Sequence, residues 1–216
     1  SLWLINSSTE LAIIEAGISK LGEMQKLEAV IKPNIGLFTN IGEAHQAQFS
    51  SIEEKISEKF ILFKDCETII CNSDFEKFKT NKDTKTILWS QKNKNAAIFV
   101  DKIIKYNTFS EIKIVSNNQL YELKIPFSDD GSIENAINCF AVITVLFPKP
   151  DKNIISRFTS LPVVPMRLQT LDAINNSILI NDSYNSDINS LEIAIDYLNQ
   201  KKTNKKSILI MSDILQ

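Results

Sequence analysis

A short apolar strand followed by a polar loop and a capped helix is the feature that most constrains how this chain can fold. Ile35–Phe38 is apolar and follows Pro33, a pattern typical of a strand with both faces covered. The loop of residues 39–45 (TNIGEAH) leaves this strand and contains His45, the only histidine. In open α/β sheets, ligands bind at the carboxyl ends of the strands. The pattern therefore predicts a ligand-binding crevice at this loop.

A helix is predicted directly after the loop. Ser51 and Glu54 have capping-box spacing, in which hydroxyl and carboxylate satisfy each other's orphan N–H groups. Lys59 falls on the apolar side of this helix, where a cation is costly unless it is paired or chemically altered. The ordinary alternatives are that Lys59 extends its ammonium to water and that His45 is a hydrogen-bonded loop residue. The predicted buried stripe is Ile52, Ile56, Phe60 and Phe63, with Glu53, Glu54, Ser57 and Glu58 facing water.

Composition excludes several classes of protein. The 216 residues are 44% hydrophobic and 23% charged, as in globular proteins with a real core. A net charge of -2 without a basic block argues against partners such as nucleic acid or an anionic membrane surface. The longest apolar run, residues 139–147, is too short to span a bilayer. Three cysteines without a C-x-x-C pair indicate a reduced, cytoplasmic protein.

The order of strands and helices in the N-terminal half predicts one parallel, right-handed α/β unit. Residues 11–14 are predicted as a buried strand that ends at Glu15, residues 23–31 as a helix, and residues 68–71 as a further buried strand. The Glu15 carboxylate either reaches the same crevice as His45 or lies in water.

The pattern changes between residues 85 and 127, where four alternating segments predict a small antiparallel subsheet appended to the parallel sheet. The last two segments are joined by a hairpin at residues 116–119. A helix is then predicted over residues 133–146, and it carries Asn135 and Asn138 at i, i+3, on one face. Such amides can read a ring with donors and acceptors, such as adenine, or can cap the preceding loop.

Residues 161–165 (LPVVP) predict an extended connector and a domain boundary, which gives domains of residues 1–163 and 164–216. Beyond it we predict a hairpin about Asn175 and Asn176, a helix over residues 190–198, and an apolar strand over residues 208–211. An α/β unit would continue after that strand, so we expect the chain to be a fragment of a longer enzyme.

Six motifs, in this order and spacing, resemble the Mur ligase family: residues 15–17 (EAG), residues 39–45, Lys59 fourteen positions after His45, residues 135–141 (NAINCFA), residues 166–169 (MRLQ) and residues 181–185 (NDSYN). The resemblance is closest to the branch that adds D-Ala-D-Ala to UDP-MurNAc-tripeptide, in the forms fused to an alanine racemase. It implies a central ATP-binding domain of mostly parallel α/β fold without its phosphate loop, followed by the start of a Rossmann-like ligase domain.

The resemblance also implies a chemistry. In this family ATP phosphorylates a substrate carboxylate, and an amine then attacks the acyl phosphate. Glu15 and His45 would hold Mg2+, together with Lys59 as a carbamate. The other implied site residues are Asn40, Asn135 and Asn138 for the nucleotide, Arg167 and Asp182 for the phosphates and ribose, and Tyr184 and Asn185 on the closing domain. The catalytic residues would be Lys59, Arg167 and Asp182.

Four departures from the family pattern keep alternatives open. No Gly-Lys-Ser/Thr phosphate loop is present, so we expect that the fragment alone does not turn over. Ala47 stands where an acid is usual, Asn181 where an Asp is common, and Ile188 near a common Pro. The sequence is also compatible with another Mur ligase, with a folyl-polyglutamate-type ligase, or with a non-catalytic α/β binding module.

Overall fold

The fold is taken from a computed structural model, which describes residues 4–41, 49–74, 84–184, 188–201 and 206–211, the side chain of Asn189 excepted. The helices within these ranges are α1 (Glu23–Ile31), α2 (Ile52–Phe60), α3 (Asp130–Leu146), α4 (Lys152–Ser156) and α5 (Ile188–Lys201). The strands are β1 (Ile35–Phe38), β2 (Thr68–Asn72), β3 (Lys85–Ser90), β4 (Ile98–Lys105), β5 (Ser110–Ser116), β6 (Gln119–Ile125), β7 (Gln169–Ala173) and β8 (Ser177–Asn181).

In the described part of the chain, β1 to β6 form one sheet in sequence order, and β7 and β8 form a separate hairpin. The strands from β1 to β4 are mutually parallel, and β4, β5 and β6 are antiparallel. The mostly parallel α/β fold is therefore confirmed. The subsheet prediction was wrong in one respect, because β3 is parallel to both of its neighbours. The connection of residues 73–84 is long enough for a parallel crossover, which needs about a dozen residues.

The main core lies between the antiparallel strands and α3. Alternate residues of β5 and β6 are fully buried, and they meet Ile137 and Phe140 of α3. The Tyr121 and Phe140 rings meet edge to face, with centroids 5.1 Å apart. The predicted hairpin between β5 and β6 is confirmed. Its two turn residues, Asn117 and Asn118, both have positive φ, as a two-residue turn of this type requires.

Two segments predicted as strands are irregular. Residues 11–14 and 208–211 form no strand, and Ile13 and Ile210 are 87% and 90% exposed. An apolar run becomes a strand only when its backbone groups find a partner strand. Neither segment pairs with another strand in the described ranges, so these two predictions were wrong.

The face of α2 that contacts the core differs from the predicted stripe. Phe63 is buried, but Ile52, Ile56 and Phe60 are only half-buried, whereas Lys55 and Glu58 are buried. The Glu58 carboxylate accepts hydrogen bonds from the backbone N–H groups of Gly22 and Met24, at 2.8 and 3.1 Å. Because the first turn of a helix leaves N–H groups without partners, a carboxylate from another helix can satisfy those of α1. Placing Glu58 in water was therefore wrong.

The predicted cap of α2 forms in part. The Ser51 hydroxyl accepts a hydrogen bond from the Glu54 N–H at 3.1 Å, as predicted. The Glu54 carboxylate, however, binds the N–H and hydroxyl of Ser50, not the N–H of Ser51. These two bonds hold the entry to the helix, and they lower the pKa of Glu54.

Glu58→Ala is expected to destabilise the protein by about 1–3 kcal/mol, because it leaves the buried N–H groups at the start of α1 without an acceptor. Thermal unfolding of the full-length protein measures this effect. Ser57→Ala, at the exposed neighbouring position on the same helix, is the matched control and should change stability by less than about 0.5 kcal/mol. Equal effects of the two substitutions would show that Glu58 does not cap α1.

Other predicted elements are confirmed. The helix over residues 23–31 is α1, with Met24 buried. The hairpin about Asn175 and Asn176 is β7 and β8, and both turn residues have positive φ, at 56° and 55°. The last helix, α5, is longer at both ends than the predicted residues 190–198.

Candidate functional site

The carboxyl ends of β1, β2 and β3 carry polar groups, and those of β2 and β3 are linked by hydrogen bonds. Asn40 lies exposed two residues after β1. Asp74, after β2, accepts hydrogen bonds from the Ser90 hydroxyl and from the Gln91 N–H at the end of β3. Ser90 in turn accepts from the N–H of Lys92 at 2.9 Å. Since parallel strands end at one edge, these contacts join the end of β2 to the end of β3 beside the predicted crevice.

Asn138 of α3 reaches the same edge through Trp89, the next-to-last residue of β3. The Trp89 Nε1–H donates to Asn138 Oδ1 at 2.8 Å, and both side chains are almost fully buried. Asn135, three positions earlier on the same helix, is exposed, so the two amides differ in burial. Residues i and i+3 are about 60° apart around a helix, so one can be buried in the core while the other is exposed.

Lys59 lies in the last turn of α2, beside the end of β1. Its neighbour Phe60 packs on Phe38, the last residue of β1, with ring centroids 5.1 Å apart. Lys59 is half-buried, and this burial, followed by the charge of Lys55, lowers its pKa. The site therefore disfavours an ordinary ammonium at this position.

The hairpin of β7 and β8 brings together two of the predicted motifs. The Arg167 guanidinium lies over the Tyr184 ring at 4.5 Å from its centroid. Asp182 Oδ1 accepts from the Leu168 N–H at 3.0 Å, and the Tyr184 N–H donates to the Met166 carbonyl at 3.2 Å. The hairpin thus holds Arg167, Asp182 and Tyr184 in one cluster.

The predicted metal ligands are not assembled by the described residues. Glu15 is exposed on an irregular segment, and His45 and Asn185 lie outside the described residues. In the part of the chain that the structure describes, no three His, Cys, Asp or Glu side chains are grouped so that they could hold a metal ion. Mg2+ prefers oxygen ligands, and an unmodified Lys59 ammonium offers none. The described residues alone therefore do not form a magnesium site, and the metal assignment stays a prediction.

Two of the three cysteines are buried. Cys66, Cys71 and Cys139 are free thiols, as the odd count predicted. Burial is the main cause of the raised pKa of both thiols, which reaches about 11 for Cys66 and about 12 for Cys71. Neither of these two thiols is therefore a reactive nucleophile or ligand at neutral pH.

Sequence analysis missed Asp74, Ser90 and Trp89 as parts of this edge. Their positions in the sequence could have indicated them, because each of these residues lies at or close to the end of a strand. Their mutual contacts could not be read from spacing, since they join segments far apart in the chain.

A mostly parallel sheet with polar residues at the carboxyl ends of its strands places this chain among the α/β proteins, in which that edge is the usual place for a ligand. The Mur ligase middle domain family matches residues 3–143 of the chain. The chain belongs to this family, which confirms the resemblance seen in its motifs.

Two sequence relatives share the name UDP-N-acetylmuramoyl-tripeptide--D-alanyl-D-alanine ligase. The protein of that name from Buchnera aphidicola subsp. Acyrthosiphon pisum is 31% identical over 232 residues, which cover 100% of this chain and 49% of the relative. The one from Buchnera aphidicola subsp. Baizongia pistaciae is 30% identical over 200 residues, covering 90% of this chain and 43% of the relative. The chain thus spans about half the length of the curated relatives it matches.

Solved structures share the fold. MurF from Acinetobacter baumannii superposes with a TM-score of 0.80 at 17% identity, over 92% of this chain and 44% of that one. The MurF ligase from Thermotoga maritima in complex with ADP gives a TM-score of 0.68 at 19% identity, over 84% of this chain and 42% of that one. Within the described residues, the helices all fall short of the length and apolarity needed to cross a membrane.

Proposed function

We propose that the full-length protein is an ATP-dependent ligase that joins D-Ala-D-Ala to UDP-MurNAc-tripeptide in peptidoglycan synthesis, in the cytoplasm. The observation that carries this proposal is that relatives with the name of that ligase align with 90–100% of the chain. The γ-phosphoryl group of ATP passes to the substrate carboxylate, giving an acyl phosphate and ADP. The amine of D-Ala-D-Ala then attacks the acyl carbon, and inorganic phosphate leaves.

The roles proposed for the residues are those that the resemblance to the family implies. Residues 1–163 supply the ATP-binding domain, and residues 164–216 begin the ligase domain. Asn40, Asn135 and Asn138 lie on the nucleotide side, and Asn138 is already fixed by Trp89. Arg167, Asp182, Tyr184 and Asn185 act from the second domain. The Arg167 charge, oriented by the Tyr184 ring, stabilises negative charge that develops on the transferring phosphoryl group.

Lys59 supports the proposal by its environment. A half-buried lysine close to Lys55 is unfavourable as an ammonium, whereas a carbamate bound to Mg2+ is no unpaired cation. Its oxygens, with Glu15 and His45, would complete a set of ligands for magnesium, and the ion would supply charge neutralisation at the phosphates. A fused alanine racemase remains a prediction from the resemblance.

An assay of the full-length protein tests the function. With ATP, Mg2+ and UDP-MurNAc-tripeptide, we expect phosphate release that requires D-Ala-D-Ala and yields the pentapeptide product. Glutamate with a folate acceptor is the control for a folyl-polyglutamate-type ligase, whose fold is also similar. Activity only with glutamate, or no phosphate release with either amine, would contradict the proposal.

A further inference from the structure

The first half of β6 forms one wall of an open groove at the edge of the main sheet. In the described part of the chain, β6 is the last strand of this sheet and pairs only with β5. The opposite wall is α4, which lies beside β6, together with the segment before α4. The groove has a volume of about 750 Å³, as ligand-binding clefts commonly have. The residues that line it are residues 119–122, residues 149–152 and Ile155.

The backbone of β6 has unused hydrogen-bonding groups on this side. The turn of residues 117–118 has two residues with positive φ, so the closing pair, Ser116 and Gln119, exchanges backbone hydrogen bonds. Hydrogen bonding alternates along an antiparallel pair, so the N–H and carbonyl groups of Leu120 and Glu122 point away from β5. Among the described residues, none of these groups has a backbone partner. An unpaired strand edge of this kind is a template for a further strand.

Both walls of the groove are held in place by contacts within the protein. The Asn117 Nδ2 group donates to the Pro148 carbonyl at 3.2 Å, which ties the turn before β6 to the segment before α4. Pro150 is buried, and Ile155 packs against the main core. The groove is therefore formed before any partner arrives, which reduces the entropy that binding would cost.

The charges that remain available around the groove are positive. The Glu122 carboxylate is paired with the Lys113 ammonium at 2.7 Å. The Asp151 carboxylate caps α4 and accepts from a backbone N–H at 2.9 Å. Lys149 and Lys152 are both exposed, and neither forms an ion pair with a described residue. Complementarity of charge therefore favours an acidic partner.

We propose that an extended acidic peptide segment of a partner protein binds in this groove. Its backbone adds a strand to the outer edge of β6 at Leu120 and Glu122, and its carboxylates contact Lys149 and Lys152. In such complexes the main-chain hydrogen bonds supply affinity and the side chains supply specificity. The groove lies three strands from β3, roughly 14 Å at the usual strand spacing, so it is separate from the ligand edge at β1 to β3. The inference does not depend on the proposed ligase activity.

Peptide binding to the full-length protein tests this inference. The probe is the fluorescein-labelled peptide EVEVE with a blocked carboxyl end, and binding is measured by fluorescence anisotropy. The peptide KVKVK reverses the charge, and EVEVE with N-methylated backbone amides keeps the charge but loses the donors. We expect both to bind at least about tenfold more weakly than EVEVE, because each lacks one of the two kinds of contact. Bound EVEVE should also slow hydrogen exchange of the Leu120 and Glu122 amides at least about tenfold.

Variants of the groove locate the binding site. Lys149→Glu together with Lys152→Glu should weaken binding of EVEVE at least about tenfold. Lys26→Glu together with Lys85→Glu is the matched control, since both residues are exposed elsewhere and the change in net charge is the same. This control should stay within about threefold of the wild-type affinity. If the groove variant does not fold, Lys149→Met with Lys152→Met removes the two charges, and the same comparison decides.

Three results would overturn the inference. The first is equal weakening in the groove variant and its control, and the second is equal binding of EVEVE and its N-methylated form. The third is slowed exchange of the Leu120 and Glu122 amides that rises with protein concentration in the absence of peptide, because it would assign this edge to a second copy of the chain.

Discussion

Lys59→Met in the full-length protein is expected to lower the ligation rate at least about 100-fold without loss of stability. Methionine is unbranched, similar in length and tolerant of irregular packing, so it keeps the apolar contacts of the side chain. What it removes is the nitrogen on which the carbamate would form, and with it the oxygens expected to bind the ion. Disrupting even the outer shell of a metal site typically costs 10–100-fold, and loss of a direct ligand costs more. The measurement is kcat/KM for ADP formation.

The stability of this variant separates a chemical role from a structural one. In protein prepared without bicarbonate and Mg2+, Lys59 is an unmodified lysine whose pKa is lowered by burial, so its protonated side chain opposes folding at neutral pH, and this penalty is lost as pH rises through the ordinary range of lysine. Lys59→Met removes the penalty, and we expect an unfolding temperature equal to or above that of the wild-type protein. A variant that is inactive because it is unfolded would not support the proposed role.

Lys64→Met is the matched control for Lys59→Met. Lys64 is exposed and pairs with the buried Glu28 carboxylate at 3.2 Å, so its loss should lower stability and leave the ligation rate within about twofold. Lys59→Ala leaves space in which a small carboxylate such as acetate can supply the missing oxygens. Partial rescue by acetate is expected only if Lys59 acts as a carbamate. More than a tenth of the wild-type activity in Lys59→Met without rescue agents would contradict its role.

The predictions that held are those that depend on local sequence. The hairpin at Asn117 and Asn118 needs only positive φ at two adjacent residues, which asparagine tolerates. Helix α1 and strand β1 follow from periodicity and from Pro33 between them. Each of these elements is specified by a few neighbouring residues, so it can be predicted without knowledge of the rest of the fold.

The predictions that failed depend on partners distant in sequence. Glu58 is buried because the first turn of α1, more than thirty residues earlier, offers two unpaired N–H groups. Residues 11–14 have the composition of a strand but pair with no other strand in the described ranges. Asn138 was identified from its motif, but its contact with Trp89 joins a helix to a strand 49 positions away. Local patterns carry no information about such contacts.

Phe140→Ala is expected to destabilise the sheet and α3 by about 3–5 kcal/mol, because Phe140 is fully buried at the centre of the main core and its loss leaves a cavity. Hydrogen exchange of the β5 amides in the full-length protein measures the effect locally, and protection should fall by roughly two to three orders of magnitude. The edge-to-face contact with Tyr121 is lost as well.

Phe147→Ala is the matched control at the end of the same helix, where the ring is 53% exposed. Its backbone N–H still donates to the Ile143 carbonyl, so the end of α3 is preserved and protection should change less than about tenfold. Similar losses in the two variants would mean that Phe140 is not central to the core. A loss confined to Phe140→Ala would show that this ring contributes strongly to holding α3, which carries Asn138, on the sheet. The geometry of the proposed nucleotide site would then depend on a residue that touches no ligand.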